Sequence, residues 1–376
     1  MESLVTVAFA QSYRERCILV TGHTGFKGSW LCEWLLSLGA RVHGYALDPE
    51  PHATLFDQLG LASHLSSDTR ADLADRERLA TLIAAVRPDF VFHLAAQPLV
   101  GLAYERPVET FQTNVLGTIY LLEALRSLDK PCAAVLVTTD KCYENHEWMY
   151  GYREEDPLGG HDPYSASKAA CEIAIHSWRR SFFSQHPVRL ASARAGNVIG
   201  GGDCARDRIV PDCIRALQAG QPIPVRNKDA TRPWQHVLEP LSGYLWLAAV
   251  LAKPELRPLP ADRFATAFNF GPGHDANRTV AELVAEVLKS WPGRWEDRSE
   301  PARAHEAGLL RLSTDKANTL LGWSPVWRFP EAVREAVAWY RRNPPGKEPN
   351  AVREFTHQQI ASYSRRATEL GLPWVV

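Results

Sequence analysis

A chain of 376 residues with 45% hydrophobic residues is long enough to bury a large core, as one big domain with a lobe or as two modest domains. Its formal net charge of −1 gives no electrostatic case for nucleic acid or a membrane surface, and no apolar run approaches the ~20 residues needed to cross a bilayer. Seven cysteines, scattered and without a C-x-x-C pair, argue for a reducing compartment and against both a disulfide framework and a zinc site. The Met1–Gln11 stretch carries an acid at its start and no basic n-region, so a secretory signal is not expected and a cytoplasmic location is.

Cys17-Ile18-Leu19-Val20-Thr21 is a short apolar run of the kind that makes a buried parallel strand. Gly22-His23-Thr24-Gly25-Phe26-Lys27-Gly28 follows, then a helical pattern from Ser29 to Leu36. Glycines at positions 22, 25 and 28 allow a tight turn, close approach of the backbone to a pyrophosphate, and close packing of helix on strand. A glycine triplet alone is weak evidence, but the strand before and the helix after make it a dinucleotide-binding signature.

Gly39 closes the helix and Arg41–Leu47 reads as a second strand. Asp48 lies where an acid for an adenosine ribose is expected, or one step beyond it in the Asp48–Pro51 loop. His23, Lys27 and Arg41 could favour a 2′-phosphate, yet the acid favours NAD over NADP. Asp72-Leu73 fits an adenine edge or a helix cap for 75–86. Pro88–Gln97 is the next αβ unit, and the small residues Ala95 and Ala96 at its strand end would let a flat cofactor pass. His93 reads as a packed strand residue. Asn114, in a helix over 108–127, either binds the backbone of the cofactor loop or caps a bend, the structural role being favoured.

The apolar run Ala133–Val137 ends in Thr138-Thr139-Asp140-Lys141, which places polar groups at a strand's carboxyl end, where open α/β sheets bind ligands. Tyr164-x-x-x-Lys168 opens the next helix, and residues four apart share a face. Lys168 beside the Tyr164 phenol would favour its ionised form and make it a base. With Val188–Arg194, the repeated βα units predict the α/β class: a Rossmann-type doubly wound parallel sheet with right-handed crossovers. A smaller C-terminal substrate-binding lobe follows. The sheet domain is expected over 12–195, with segments returning near 230–245 and 265–275, and the lobe mainly over 196–342. A peripheral helical tail is expected over 343–376. Thr231-Arg232-Pro233-Trp234-Gln235-His236-Val237 in the lobe suits a diphosphate with a flanking base or sugar, or a surface Arg-Trp stack.

Together these residues resemble the extended short-chain dehydrogenase/reductase superfamily, in its nucleotide-sugar branch. Six stretches are similar to the CDP-glucose 4,6-dehydratases: Gly22–Trp30, His93–Val100, Thr139–Tyr143, Asp162–Ser165, Arg194–Asp203 and Arg232–Val237. The likeness covers roughly residues 15–342. It implies bound NAD held by Gly22, His23, Gly25, Phe26, Lys27, Gly28, Asp48, Asp72, Leu73, Ala95, Ala96, Gln97, Tyr164 and Lys168. It implies a redox-neutral elimination that turns CDP-glucose into a 4-keto-6-deoxy sugar for deoxysugar (O-antigen precursor) biosynthesis, by a homo-oligomer. Tyr164 takes the 4-hydroxyl proton as C4 is oxidised, Thr139 bonds near O4, and Asp140 protonates the C6 leaving group. Related dTDP-glucose and GDP-mannose dehydratases carry Glu after this Asp as the C5 base. Lys141 replaces it, either as the base itself or as a cation that stabilises the enolate. Asn197, Arg208, Arg232 and His305 are carried over to the substrate's nucleotide and diphosphate.

Overall fold

The computed structural model describes residues 9–49, 54–205, 208–299 and 309–375. Seven parallel strands form its central sheet: β1 (Cys17–Thr21), β2 (Arg41–Ala46), β3 (Ser67–Arg70), β4 (Phe90–His93), β5 (Cys132–Val137), β6 (Val188–Ala195) and β7 (Ala267–Phe270). Their spatial order is β7-β6-β5-β4-β1-β2-β3, so the direction of winding reverses between β1 and β4 and opens a crevice at the carboxyl ends of the strands. The doubly wound α/β sheet expected from the βα repeats is therefore the one observed.

Both faces of the sheet are covered, which is why its strands read as nearly continuous apolar runs. Ala133, Val135 and Val137 of β5 point into one cluster with Trp30 and Leu31 of α1 (Phe26–Ser37). Ala134 and Leu136 point into the other, with Leu79 of α2 (Arg76–Val86), Leu121 of α3 (Gly117–Leu125) and Ile175 of α4 (Pro163–Ser181).

The helix expected over 108–127 is broken. A turn at Pro107–Phe111 leads into a π-helical segment, Gln112–Leu116, before α3 resumes the α pattern. Asn114 lies in the widened turn, and its amide is spent on the loop after β4. Its Oδ1 accepts from the Gln97 N–H at 2.8 Å, and its Nδ2 donates to the Gln97 carbonyl at 3.2 Å and to Ser167 Oγ at 2.9 Å. Such single-turn widenings accompany functional sites. Here the widened turn holds the loop that follows β4, so Asn114 takes the first of its two expected roles.

Beyond β6 the lobe is built from short strand pairs, 198–199 with 235–236, 231–233 with 277–279 and 223–225 with 295–297. Helices α5 (Ile209–Gln218) and α7 (Val280–Ser290) accompany them. Between those two helices in sequence, α6 (Leu238–Ala252) is buried along nearly its whole length and packs on the sheet with β7. Helix α8 (Phe329–Arg342) follows.

The C-terminal segment is not peripheral. Helix α9 (Pro349–Glu369) lies against α1, where Arg353 Nε comes within 2.9 Å of the buried Glu33 carboxylate. Trp374 is wholly buried, with its ring stacked on Phe9 at 5.6 Å and on Tyr363 at 5.8 Å. Its pattern looks peripheral because the surface it covers is gathered from separate stretches of chain, Glu33 of α1, Glu239 of α6 and Trp339 of α8 among them.

Candidate active site

The glycine loop is shaped by contacts that admit no side chain. Gly22 sits at φ +74°, where a Cβ would meet Ala95 N at 2.6 Å, and a Cβ on Gly28 would meet the Gly22 carbonyl at 2.1 Å. Gly25 caps α1 with no side-chain acceptor, so the first amides of that helix face the crevice with their partial positive charge. Phe26 and Lys27 lie half-buried in its first turn. Ala95, Ala96 and Gln97 form the adjoining wall. This cradle fits the pyrophosphate of a dinucleotide.

Four residues assigned to the cofactor from sequence, His23, Asp72, Leu73 and Asp48, differ in how much of each is left for it. The His23 imidazole is fully buried and crosses under the sheet edge, with Nε2 at 2.8 Å from Asp68 Oδ1. Its ring fills the space over Gly44, where a Cβ would come within 2.5 Å. Only its backbone remains for a phosphate. Asp72 is exposed. Its carboxylate accepts from the Ala74 N–H at 2.9 Å and its carbonyl from Tyr45 Oη at 2.7 Å, whereas the cap of α2 is Asp75. Leu73 is buried beneath Gly117. Asp48 is exposed just past the end of β2, one residue beyond Leu47, whose carbonyl accepts from Thr24 Oγ1 at 3.1 Å. Arg41 stands at the amino end of β2, away from the crevice, and donates to the Glu15 carbonyl at 3.3 Å. It is not placed for a 2′-phosphate.

The chemistry-bearing residues converge at the carboxyl end of β5. Thr139 caps a short 3₁₀ turn, Asp140–Cys142, by accepting from the Lys141 N–H at 3.3 Å, and its hydroxyl donates to Asp140 Oδ1 at 3.0 Å. Across from it, Asp162 caps α4 by accepting from the Ser165 N–H at 2.9 Å, with Pro163 in the first turn. This start presents Tyr164 and Lys168, one helical turn apart, to the turn at Thr139. Thr139, Asp140, Tyr164 and Lys168 are all buried, and Lys141 is half-buried.

Burial dominates the electrostatics. It pushes the Tyr164 phenol well up, with the neighbouring Thr139 side chain opposing it. Lys168 Nζ donates to the Val137 carbonyl at 3.5 Å, and its own affinity for a proton is lowered by burial. Arg208 pulls the phenol in the same direction as Thr139, while Asp140 and Asp162 add to the upward push. Burial likewise raises Asp140, against the pull of Lys141, Thr139 and Arg232, and so favours its protonated, proton-donating form. Lys27 belongs to the same chamber. Burial, with Arg208 and Lys168, brings it down to about 8 despite Asp140, and its ammonium lies 5.7 Å over the Tyr244 ring.

Of the lobe residues, Arg208 is anchored to Asp203 at 2.9 Å and close enough to Tyr164 for the two charges to interact. Arg232 is buried, with a guanidinium N–H on the Thr231 carbonyl at 2.8 Å. Asn197 is half-buried in the turn after β6. His305 lies outside the described residues. His93 is neutral, pushed down to about 3 by burial, and held between Thr21 and Thr118.

Sequence reasoning passed over two groups at this site. Glu172, one turn beyond Lys168 on the same helix face, could have been found from the same spacing. Arg311 carried no signal of its own, yet with Gly196, Pro233 and Asn277 it lines a depression next to Asp140. Gly196 is needed there, because a Cβ would come 2.6 Å from Asp140 Oδ2.

Residues 19–336 match the GDP-mannose 4,6 dehydratase family. The chain is 45% identical to a CDP-glucose 4,6-dehydratase of Salmonella typhimurium, over 86% of this chain and 90% of that one. It is 27% identical to a dTDP-glucose 4,6-dehydratase of Neisseria gonorrhoeae, over 89% of this chain and 98% of that one. Among solved structures, a dTDP-glucose 4,6-dehydratase of Streptomyces venezuelae, crystallised with NAD, superposes with a TM-score of 0.74 at 24% identity. The match covers 88% of this chain and 99% of that one and establishes a shared fold.

Proposed function

The chain belongs to the GDP-mannose 4,6 dehydratase family, and from that premise we propose that it is a CDP-glucose 4,6-dehydratase using NAD, which releases a 4-keto-6-deoxy sugar nucleotide and water. The observation that carries this reading is the meeting of Thr139-Asp140-Lys141 with Tyr164 and Lys168 in one buried chamber, facing a glycine cradle. The 45% identity to the Salmonella enzyme supplies the cytidine nucleotide.

When bound, NAD would supply a reversible hydride acceptor. Tyr164 takes the proton of the sugar's 4-hydroxyl while Lys168, on the next turn, stabilises the phenolate. Thr139, next to the phenol and to Asp140, holds the oxygen at C4. The 4-ketone acidifies the C5 proton, and Asp140, kept protonated by burial, gives its proton to the departing C6 hydroxyl. Lys141 acts electrostatically on Asp140; as a neutral amine it would take the C5 proton, and as an ammonium it would stabilise the enolate that forms when that proton leaves. Asn197, Arg208 and Arg232 bind the nucleotide diphosphate. The overall reaction loses one water and leaves the redox state unchanged.

The same reading makes the enzyme cytoplasmic, and among the described residues no helix is long and apolar enough to cross a membrane. It also makes the enzyme a homo-oligomer that pairs through the stretch over 108–127 and α4. Val108 (65% exposed) and Ile173 (60%) leave apolar surface on these helices.

A panel of CDP-, dTDP-, GDP- and UDP-glucose scored for 4-keto product tests the reading. Product from CDP-glucose is expected, and a preference for another nucleotide would overturn the assignment of the base.

A further inference from the structure

Behind the catalytic turn lies a buried ion pair whose partners touch both halves of the site. Glu172 stands on α4 in line with Tyr164 and Lys168 at four-residue spacing, so the three share one face. Its Oε1 accepts from Thr138 Oγ1 at 2.5 Å, and its Oε2 accepts from Ser192 Oγ and Arg194 Nη2, both at 2.8 Å. Thr138 immediately precedes Thr139. Arg194, on β6, donates through Nη1 to Tyr143 Oη at 2.7 Å and to the Glu154 carbonyl at 3.1 Å. Tyr143 immediately follows the Asp140–Cys142 turn, and its hydroxyl donates in turn to Asn269 Oδ1 at 2.7 Å on β7. Glu172 and Arg194 are each 3% exposed and Thr138 is 8% exposed.

Such a pair is a poor source of stability, because desolvating two charges costs about what their attraction returns. Here it ties one end of the turn through Thr138, the other through Tyr143, and the helix that carries Tyr164 and Lys168. We propose that Glu172 and Arg194 are a positioning pair, which holds the proton-transfer groups at residues 139–141 in fixed register with Tyr164 and Lys168. C4 oxidation and water loss then proceed on a sugar that does not move between them. This inference rests on the dehydratase reading above.

The test compares Thr138→Val, Thr138→Ser, Tyr143→Phe and Glu172→Gln with the wild type in the whole enzyme, on CDP-glucose. It measures kcat, KM, melting temperature and the absorbance of enzyme-bound reduced nicotinamide during turnover. Thr138→Val and Tyr143→Phe should keep KM within about twofold, and their kcat should fall on the order of tenfold to a hundredfold, the cost of a small misplacement of reacting groups. Reduced nicotinamide should accumulate in both, because oxidation continues while water loss lags. Thr138→Ser, which keeps the hydroxyl, should behave as wild type. If Glu172→Gln does not fold, the two tether variants still decide the matter. Wild-type kcat and no accumulation in Thr138→Val and Tyr143→Phe, even with lowered melting temperatures, would show a merely structural pair. A wild-type enzyme that makes no 4-keto product would overturn the dehydratase reading, and this inference with it.

Discussion

The resemblance drawn from sequence to the dTDP-glucose and GDP-mannose dehydratases implies Glu at position 141, and in this chain the residue there is Lys141. Its backbone is pinned by Thr139 and its charge acts directly on Asp140. Replacing it with Met should leave C4 oxidation intact and stall the enzyme before dehydration, with turnover down ~10²–10⁴-fold, the usual worth of a positioned proton-transfer group. Single-turnover absorbance would show reduced nicotinamide rising and persisting, whereas wild-type rates would remove Lys141 from the mechanism. The residues legible in sequence at this scale are those whose roles follow from local geometry. Gly22 and Gly28 answer to turn sterics, and Tyr164 and Lys168 to helix pitch. The partner of the His23 side chain was not legible, because Asp68 becomes a neighbour only once β2 and β3 are paired. Glu172 obeyed the same helical pitch as Lys168, but its meaning depended on Arg194, a strand away.

At the level of elements, α9 is fastened to the body by a carboxylate inside the core. Glu239 on α6 accepts from the Val326 and Trp327 N–H groups at 2.9 and 2.7 Å and from Tyr363 Oη at 2.7 Å. Burial pushes it from the ordinary 4.5 up to about 7, against those hydrogen bonds. A folded-state value above the unfolded one means that the native chain holds a proton which the unfolded chain has released. The chain therefore loses stability as pH rises from about 4.5 to about 7, and the loss levels off above that. The loss is on the order of 3 kcal/mol. Melting temperature measured against pH should fall across that window, and Glu239→Gln should flatten the fall. An unchanged slope in the variant would place the titration elsewhere. β1, β4 and β5 were readable because each is a short apolar run, whereas the edge strand β3, Ser-Asp-Thr-Arg, has no apolar residue to mark it. The π turn at Asn114 and the docking of α9 were not readable, since both are set by distant partners rather than by periodicity.

For the whole molecule, the sheet order and the buried faces follow from the βα repeats, while the lobe, with its two- and three-residue strands, offers too little pattern to read in advance. Val108, Phe111 and Leu116 along 108–127, with Ile173 of α4, are among the apolar residues left exposed. On the proposed pairing, Ile173→Asp or Val108→Glu should convert oligomer to monomer in sedimentation velocity with the fold retained, and a monomeric wild type or an unchanged coefficient in both variants would contradict pairing through this surface. The central claim is that oxidation at C4 and reduction at C6 are two halves of one event in a single closed chamber. The most direct measurement is to supply CDP-glucose carrying deuterium at C4 and locate the label in the product by mass and magnetic resonance. The account predicts a product lighter by one water, with the deuterium at C6. Unchanged mass with inverted C4, or deuterium lost to solvent, would contradict it.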